Sequence, residues 1–325
     1  MTTTIKTYLK SLPEDISTLD ISSKSIRYMP CLIRFKNLKE LNCDGNQLTF
    51  LPNLPHTLEA LFCGGNQLTS LPTLPQTLKT LFCDGNQLTS LPALSQTLKK
   101  LLCSGNQLTS LPTLPQRLED LYCSDNKLTS LPILPQNLKR LRCDNNKLTS
   151  LPILPQNLES LICMDNKLTS LPALSQTLNT LWCNGNQLTV LPILPQTLKI
   201  LSCDGNKLTS LPILLQNLEL LSCDGNQLTS LPTLPQTLKR LDCSNNPIYE
   251  IINSNHLFQI KQNIQILNNC RYLCSCLKFK KQLRKWLWER VREPKAKKIY
   301  HPNYLIENLN EEDDLDAVLN NWHLI

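Results

Sequence analysis

Fifteen cysteines and four histidines are the side chains of this sequence best suited to nucleophilic, redox or metal chemistry. Their spacing limits what they can do. Eleven of the cysteines, Cys43 to Cys243, recur in steps of twenty residues. No histidine accompanies them in that column. An odd cysteine total, behind an N-terminus with no apolar secretory core, fits a reducing compartment better than a disulfide scaffold. The column is therefore expected to fill buried positions, each thiol acting as a small hydrophobe. A second group, Cys270, Cys274 and Cys276 with His256, offers four zinc-type ligands. Its Cys-x-x-x-Cys-x-Cys spacing is not that of a structural zinc site, so core cysteines of a helix are expected there. The sequence contains no His-Glu-x-x-His, no phosphate-cradling glycine loop and no nucleophile elbow. The expectation is a chain without catalytic residues, bound metal, cofactor or small-molecule substrate.

What positions the cysteines is a repeat. From Leu41 to Arg240 the chain divides into ten consecutive lines of twenty residues, beginning with LNCDGNQLTFLPNLPHTLEA and ending with LSCDGNQLTSLPTLPQTLKR. Taken from the preceding leucine, one unit reads L-x-x-L-x-C-x-x-N-x-L-T-x-L-P-x-L-P-x-x. Its first copy holds Leu38, Leu41, Cys43, Asn46, Leu48, Leu51, Pro52, Leu54 and Pro55. This unit resembles the leucine-rich repeat, L-x-x-L-x-L-x-x-N-x-L, with cysteine in the place of the third leucine. Its length and its L-P-x-L-P ending are most similar to the proline-type repeats of bacterial secreted effectors. The resemblance covers residues 16 to 252. It implies a solenoid with a parallel β-sheet on the concave face and extended convex limbs. Some bacterial proteins with such repeats carry a separate ubiquitin-ligase domain; its motif has no match here, so that activity is not carried over.

The residues themselves point to the same architecture. In Glu40-Leu41-Asn42-Cys43-Asp44 apolar and polar residues alternate, the period of a strand with one buried face. Pro52 and Pro55 remove backbone donors and bias Leu51 and Leu54 away from the helical region, so the return limb is extended and polyproline-like. One unit cannot bury its own leucines, whereas stacked units share a continuous core. Eleven or twelve strands are expected. The asparagines Asn46, Asn66, Asn86, Asn106, Asn126, Asn146, Asn166, Asn186, Asn206, Asn226 and Asn246 form a structural column, since an amide buried in a turn must find hydrogen-bond partners. All eight glycines lie beside it, where the turn calls for positive φ or close backbone approach.

Three regions follow: 1–37, an N-terminal cap with one degenerate repeat; 38–252, the array; and 253–325, a helical C-terminal cap with a basic and then acidic tail. In the cap Lys24 stands where the column has asparagine, a departure suited to a terminal unit. Beyond the array Leu257, Ile260, Ile264 and Leu267 fall on one helical face, and a second helical stretch is expected from Leu277 to Lys298. That stretch holds ten Lys or Arg against two Glu, with Trp286 and Trp288 among them. The last segment, YHPNYLIENLNEEDDLDAVLNNWHLI, is similar to tails recurring on proteins of mimivirus-type giant viruses. The resemblance implies a viral protein located in the host cytoplasm or the virion. EEDDLD lacks the ligand alternation and central glycine of a calcium loop.

Function then rests on the positions that vary inside a constant unit. The residue between the strand leucine and the cysteine points to the concave face. Its column reads Asn42, Phe62, Phe82, Leu102, Tyr122, Arg142, Ile162, Trp182, Ser202, Ser222 and Asp242. The core does not account for the apolar run from Phe62 to Trp182, because these residues alternate with the buried column. Contiguous exposed apolar surface marks a partner site, and Tyr, Trp and Arg are favoured at hot spots. The expected function is a non-enzymatic protein–protein interaction module using Phe62, Phe82, Leu102, Tyr122, Arg142, Ile162 and Trp182. Two other readings stay open: a structural or virion-associated component, and a nucleic-acid or membrane-surface binder working through the basic tail.

Overall fold

The strict period builds one repeating coil. In the computed structural model, which describes residues 5–252 and 257–287, the elements run in simple order. A short helix α1 (Ile5–Ser11) precedes strand β1 (Thr18–Asp20). Ten further strands follow at twenty-residue intervals, from β2 (Glu40–Asn42) and β3 (Ala60–Phe62) through β6 (Asp120–Tyr122), β7 (Arg140–Arg142) and β9 (Thr180–Trp182) to β11 (Leu220–Ser222). Strand β12 (Arg240–Asp242) closes the sheet, before helices α2 (Pro247–Ile252) and α3 (Leu257–Leu287). All twelve strands pair in parallel and in sequence order. Each residue sits beside its equivalent in the next unit, as Leu41 beside Leu61 and Phe62 beside Phe82. This is the leucine-rich-repeat solenoid expected from the unit.

Pairing extends past the three-residue strands. Cys63 N–H donates to the Phe82 carbonyl at 2.8 Å, and Gly65 N–H to the Asp84 carbonyl at 2.8 Å. The core is the stack of columns inside the coil: Leu61, Cys63, Leu68 and Leu58 are wholly buried, and so are their counterparts in unit after unit. The two prolines shape the limb that returns the chain. Leu71 and Leu74 turn inward from it, each less than a tenth exposed, while Thr73 between them faces solvent. A turn in which Leu78 N–H donates to the Pro75 carbonyl at 3.1 Å brings the chain back to the next strand. Thr77 ties that turn to the preceding unit, its hydroxyl donating to the His56 and Leu58 carbonyls at 2.8 Å each.

The turn after each strand needs a left-handed residue. Glycine supplies it in seven units, among them Gly65 at φ 57° and Gly105 at φ 63°. The eighth glycine, Gly64, meets the other expectation, close backbone approach: its φ is not positive, but it lies one position earlier, where a Cβ would come within 3.2 Å of the Asp84 carbonyl. Where the left-handed residue is not glycine it is Asp125, Asn145, Asp165, Asn245 or, in the first unit, Ser23. Asp and Asn are the side chains that best tolerate this region.

Both ends of the array have caps. Phe35, Leu32, Met29 and Ile21 are fully buried in the first unit, and Arg34 reaches back to the Leu12 carbonyl at 3.0 Å. At the far end, inside the 38–252 expected for the array, the chain turns helical at Pro247. Proline suits the first helical position because its missing donor would be unsatisfied there. Beyond it the chain divides into two compact units, Met1–Ile264 and Gln265–Ile325. In the first, Ile260 and Ile264 are buried and the Lys261 ammonium donates to the Gln236 and Leu238 carbonyls at 3.2 Å each. The second begins within α3, one continuous helix through Leu287 where two helical stretches were expected. Among the described residues no helix is long and apolar enough to cross a membrane. Trp288, His256, the acidic tail, and the side chains of Cys270, Cys274, Cys276 and Trp286 lie outside the described residues.

This register predicts an uneven response to truncation. Leu121 is fully buried and Gln116 is exposed, with only its main-chain carbonyl engaged, by Asn137. Leu121→Ala should cost about 2–5 kcal/mol in chemical denaturation, and Gln116→Ala no more than about 0.5 kcal/mol. Equal costs would contradict the register.

Candidate functional site

Each strand offers three side chains, and the middle one is always the core leucine. The third therefore stands on the open face of the sheet, beside its equivalent in the next strand. Phe62, Phe82, Leu102, Tyr122, Arg142, Ile162 and Trp182 follow one another across seven adjacent strands as a single row. Arg142 and Trp182 are exposed, Trp182 by 37%, and the other five are half-buried against their neighbours. Phe62 and Phe82 meet edge to face at 4.9 Å between ring centres. That edge-to-face geometry is one of the favoured arrangements of an aromatic pair.

Charge enters the row in its middle. Arg142 Nε donates to Asp144 Oδ1 at 2.9 Å, and the same oxygen accepts the Ser124 hydroxyl at 2.6 Å. Two residues earlier on the same strand, Arg140 forms a two-pronged pair with the buried Asp120, Nε to Oδ1 at 2.7 Å and Nη2 to Oδ2 at 3.1 Å. Hydrogen bonding to these carboxylates raises the pKa of both guanidinium groups. Fork-to-fork geometry holds the Arg140 charge in a defined place. Both arginine side chains remain about half exposed, at 49% and 48%. The consequence is two oriented cations between aromatic and aliphatic flanks.

One feature of the face was missed in the sequence. Past Trp182 the column shrinks to Ser202 and Ser222, which by sequence mark a polar end. In the structure the two small residues leave a hollow of about 270 Å³, bounded by Trp182, Met164 and Leu220 and edged by Arg240 and Asp242. Met164 and Leu220 belong to other columns, so the variable column alone does not reveal them. The step from tryptophan to serine between adjacent strands is the signal that could have found the recess.

The cysteine and asparagine columns form the inner wall of the same coil. Cys43 and its ten counterparts are buried, unpaired thiols. Several donate weakly to the strand of the next unit, as Cys43 Sγ does to the Phe62 carbonyl at 3.3 Å. Burial pushes these thiols far up, Cys43 and Cys163 to about 12 and Cys243 to about 11, so the reactive thiolate is suppressed. Among the described residues no group of three or more metal-ligating side chains converges. Each asparagine is nearly buried and fully used. Asn126 Nδ2 donates to the Cys103, Cys123 and Ser124 carbonyls at 3.0, 3.2 and 2.9 Å, and its Oδ1 accepts from Leu108 N–H at 3.0 Å.

Three comparisons place this geometry among known proteins. No protein-family model matches the sequence, and no curated protein does. Solved structures do. YopM from Yersinia enterocolitica WA-314 is 37% identical with a TM-score of 0.65 over 73% of this chain, which spans 57% of that protein's length. YopM from Yersinia pestis, described as a leucine-rich effector protein, is 34% identical with a TM-score of 0.62, covering 71% of this chain and 78% of that one. The functional domain of InlJ from Listeria monocytogenes, which includes a cysteine ladder, is 27% identical with a TM-score of 0.53, covering 71% and 63%.

Two predictions follow from the inner wall. Native protein treated with a maleimide should leave Cys83 to Cys223 unmodified and label them fully once denatured; rapid labelling of the folded chain would contradict the burial. Asn126→Ala should cost about 1–3 kcal/mol in denaturation, since it leaves the buried Leu108 N–H without its acceptor, while the Cys103, Cys123 and Ser124 carbonyls keep Asn106, Asn146 and Gly105 as donors. A loss below about 1 kcal/mol would show that the turn does not depend on the amide.

Proposed function

The chain belongs to the leucine-rich repeat family, and we propose that it is a non-enzymatic interaction module whose strand face from Phe62 to Trp182 binds a protein partner. One observation carries this reading. Seven adjacent strands present large apolar, aromatic and arginine side chains on the face opposite the core, where stability of the coil does not call for them. Exposed contiguous apolar surface on a soluble fold marks a binding site, and Tyr, Trp and Arg dominate the energetics of such sites. The similarity to an effector protein and to a bacterial functional domain agrees with a recognition role.

The row also suggests the chemistry of the partner. Trp182 and the hollow beside it suit an inserted apolar side chain, while Arg140 and Arg142 suit a carboxylate or a row of carbonyl oxygens. The partner we infer is therefore a protein segment with an apolar anchor and an acidic group on the order of 15–20 Å away, four sheet spacings or so. Eleven unpaired thiols favour a reducing compartment for the encounter. The similarity of the last segment to giant-virus tails supports a viral protein meeting its partner in the infected cell.

The test is capture from such cells with wild-type protein and with the double variant Tyr122→Ala, Trp182→Ala. Neither side chain belongs to the buried columns, so the variant should melt within about 2–4 °C of wild type. A partner held by wild type should be lost from the variant, each substitution costing about 2 kcal/mol or more in binding. A partner retained at full affinity by a normally folded variant would sink the reading. Retention that also falls steeply with added salt would move recognition to the basic stretch beginning at Leu277.

A further inference from the structure

The return limbs carry a second apolar row, on the opposite side of the coil from the strand face. In each limb the residue between Pro and Leu of L-P-x-L faces solvent. In seven consecutive units this position reads Thr113, Ile133, Ile153, Ala173, Ile193, Ile213 and Thr233. The isoleucines are exposed by 86%, 85%, 88% and 80%, more than any other large apolar side chain among the described residues. An isolated exposed isoleucine needs no explanation, but four in one row, stacked at the sheet spacing of about 4.8 Å per unit, form a patch. Their combined exposed area is on the order of 600 Å², at the upper end for the largest apolar patch on a monomer.

The row reads the same in both directions: Thr, Ile, Ile, Ala, Ile, Ile, Thr, centred on Ala173. We propose that it is a homodimer interface, in which a second copy of this chain packs antiparallel across a two-fold axis at Ala173. A two-fold contact uses one patch twice, so a residue and its mirror position must suit each other. Here Ile133 meets Ile213 of the second copy, Ile153 meets Ile193, and the small Ala173 meets itself on the axis, where the two limbs come closest.

Charge supports the choice of a second copy. The chain carries a net charge of +7, which would oppose self-association through a charged face. The five limbs 128–138, 148–158, 168–178, 188–198 and 208–218 contain no charged residue at all. The neighbours of the row are prolines, the exposed Val190, and Thr, Ser, Gln and Asn, none of which carries a charge. Charged columns flank the row six residues away on either side: on one, Lys127 faces Lys207 and Lys167 lies on the axis, while the other, at the corner where each limb turns into the next strand, fits the same antiparallel order. About Asn179, Glu159 answers Lys199, Lys139 answers Glu219 and Glu119 answers Lys239. The register that matches the isoleucines therefore opposes no like charges at this rim. With the flanking polar side chains, the patch approaches the ~800 Å² per partner of a standard interface. Packing through the limbs leaves both strand faces outward, so the dimer presents two copies of the recognition row.

The test is sedimentation velocity on the full chain from about 1 to 200 µM, a span in which mass action separates monomer from dimer. Wild type should convert to dimer across this range. Ile153→Lys with Ile193→Lys sets four cations against one another on the axis side and should weaken association at least about tenfold. Because both residues face solvent, the variant should keep the wild-type melting temperature, and Tyr122→Ala with Trp182→Ala should leave association unchanged. Symmetry is read with a short bismaleimide and single cysteines, with wild-type protein as the background control. Ala173→Cys should link to itself. Ile133→Cys should not, but should link when mixed with Ile213→Cys. A chain that stays monomeric at 200 µM, a folded lysine variant that dimerises like wild type, or self-linking by Ile133→Cys would each overturn the proposal.

Discussion

Asn126 gives four hydrogen bonds to the coil, and two of them belong to the unit before its own. Its amide donates to the Cys103 carbonyl, which Asn106 also serves, and its oxygen accepts from Leu108 N–H, which would otherwise be buried without a partner. The same set recurs at Asn66, Asn86, Asn146, Asn186 and their relatives. A buried main-chain group without a partner costs as much as several surface contacts contribute. The turn after each strand inside the array is therefore completed by the unit that follows it. The parallel sheet, the leucine stack and the continuity of the strand face all depend on this one shared amide. It also explains the first unit, where Lys24 occupies the asparagine position. No earlier turn needs donors there, and the Lys24 and Ile26 N–H groups are themselves completed by Asn46.

Because stability is supplied inside the coil, the outer positions are released for other work. Leu61, Cys63 and Asn66 meet every packing and hydrogen-bonding demand of their unit, while Phe62 between them meets few. The same division holds on the limb, where Leu151 and Leu154 are buried and Ile153 is not. Two outer rows thus vary independently, one aromatic and cationic on the strands, one aliphatic and uncharged on the limbs. Neither can drift into the core without a one-residue slip, and such a slip would bury a polar face and strand the asparagine together.

Most of the architecture was legible because each unit repeats the same three constraints: alternation in Leu41-Asn42-Cys43, prolines at 52 and 55, and one amide at 46. The strand row from Phe62 to Trp182 was legible for the same reason, since alternation alone decides which side a residue takes. The hollow beside Trp182 was not, because Met164 and Leu220 reach it from neighbouring columns and only the sheet brings them together. Nor did proline signals reveal how far Ile133 and Ile153 stand out; the limb has no regular period from which exposure can be read. The helix start at Pro247 was visible as a residue but not as a change of structure. Proline recurs in every limb, and only its place directly after Asn246 makes it a helix start.

The offset in the asparagine bonds gives the coil a direction in time as well as in space. Leu108 N–H waits for a side chain eighteen residues further along the chain, and every later unit waits in the same way. On a ribosome adding about 5–20 residues per second, the newest turn stays incomplete for roughly 1–4 s. Everything behind it is already sealed. The nascent array thus exposes one open unit at its growing tip whatever its length. Pro247, by turning the chain into a helix, ends that succession.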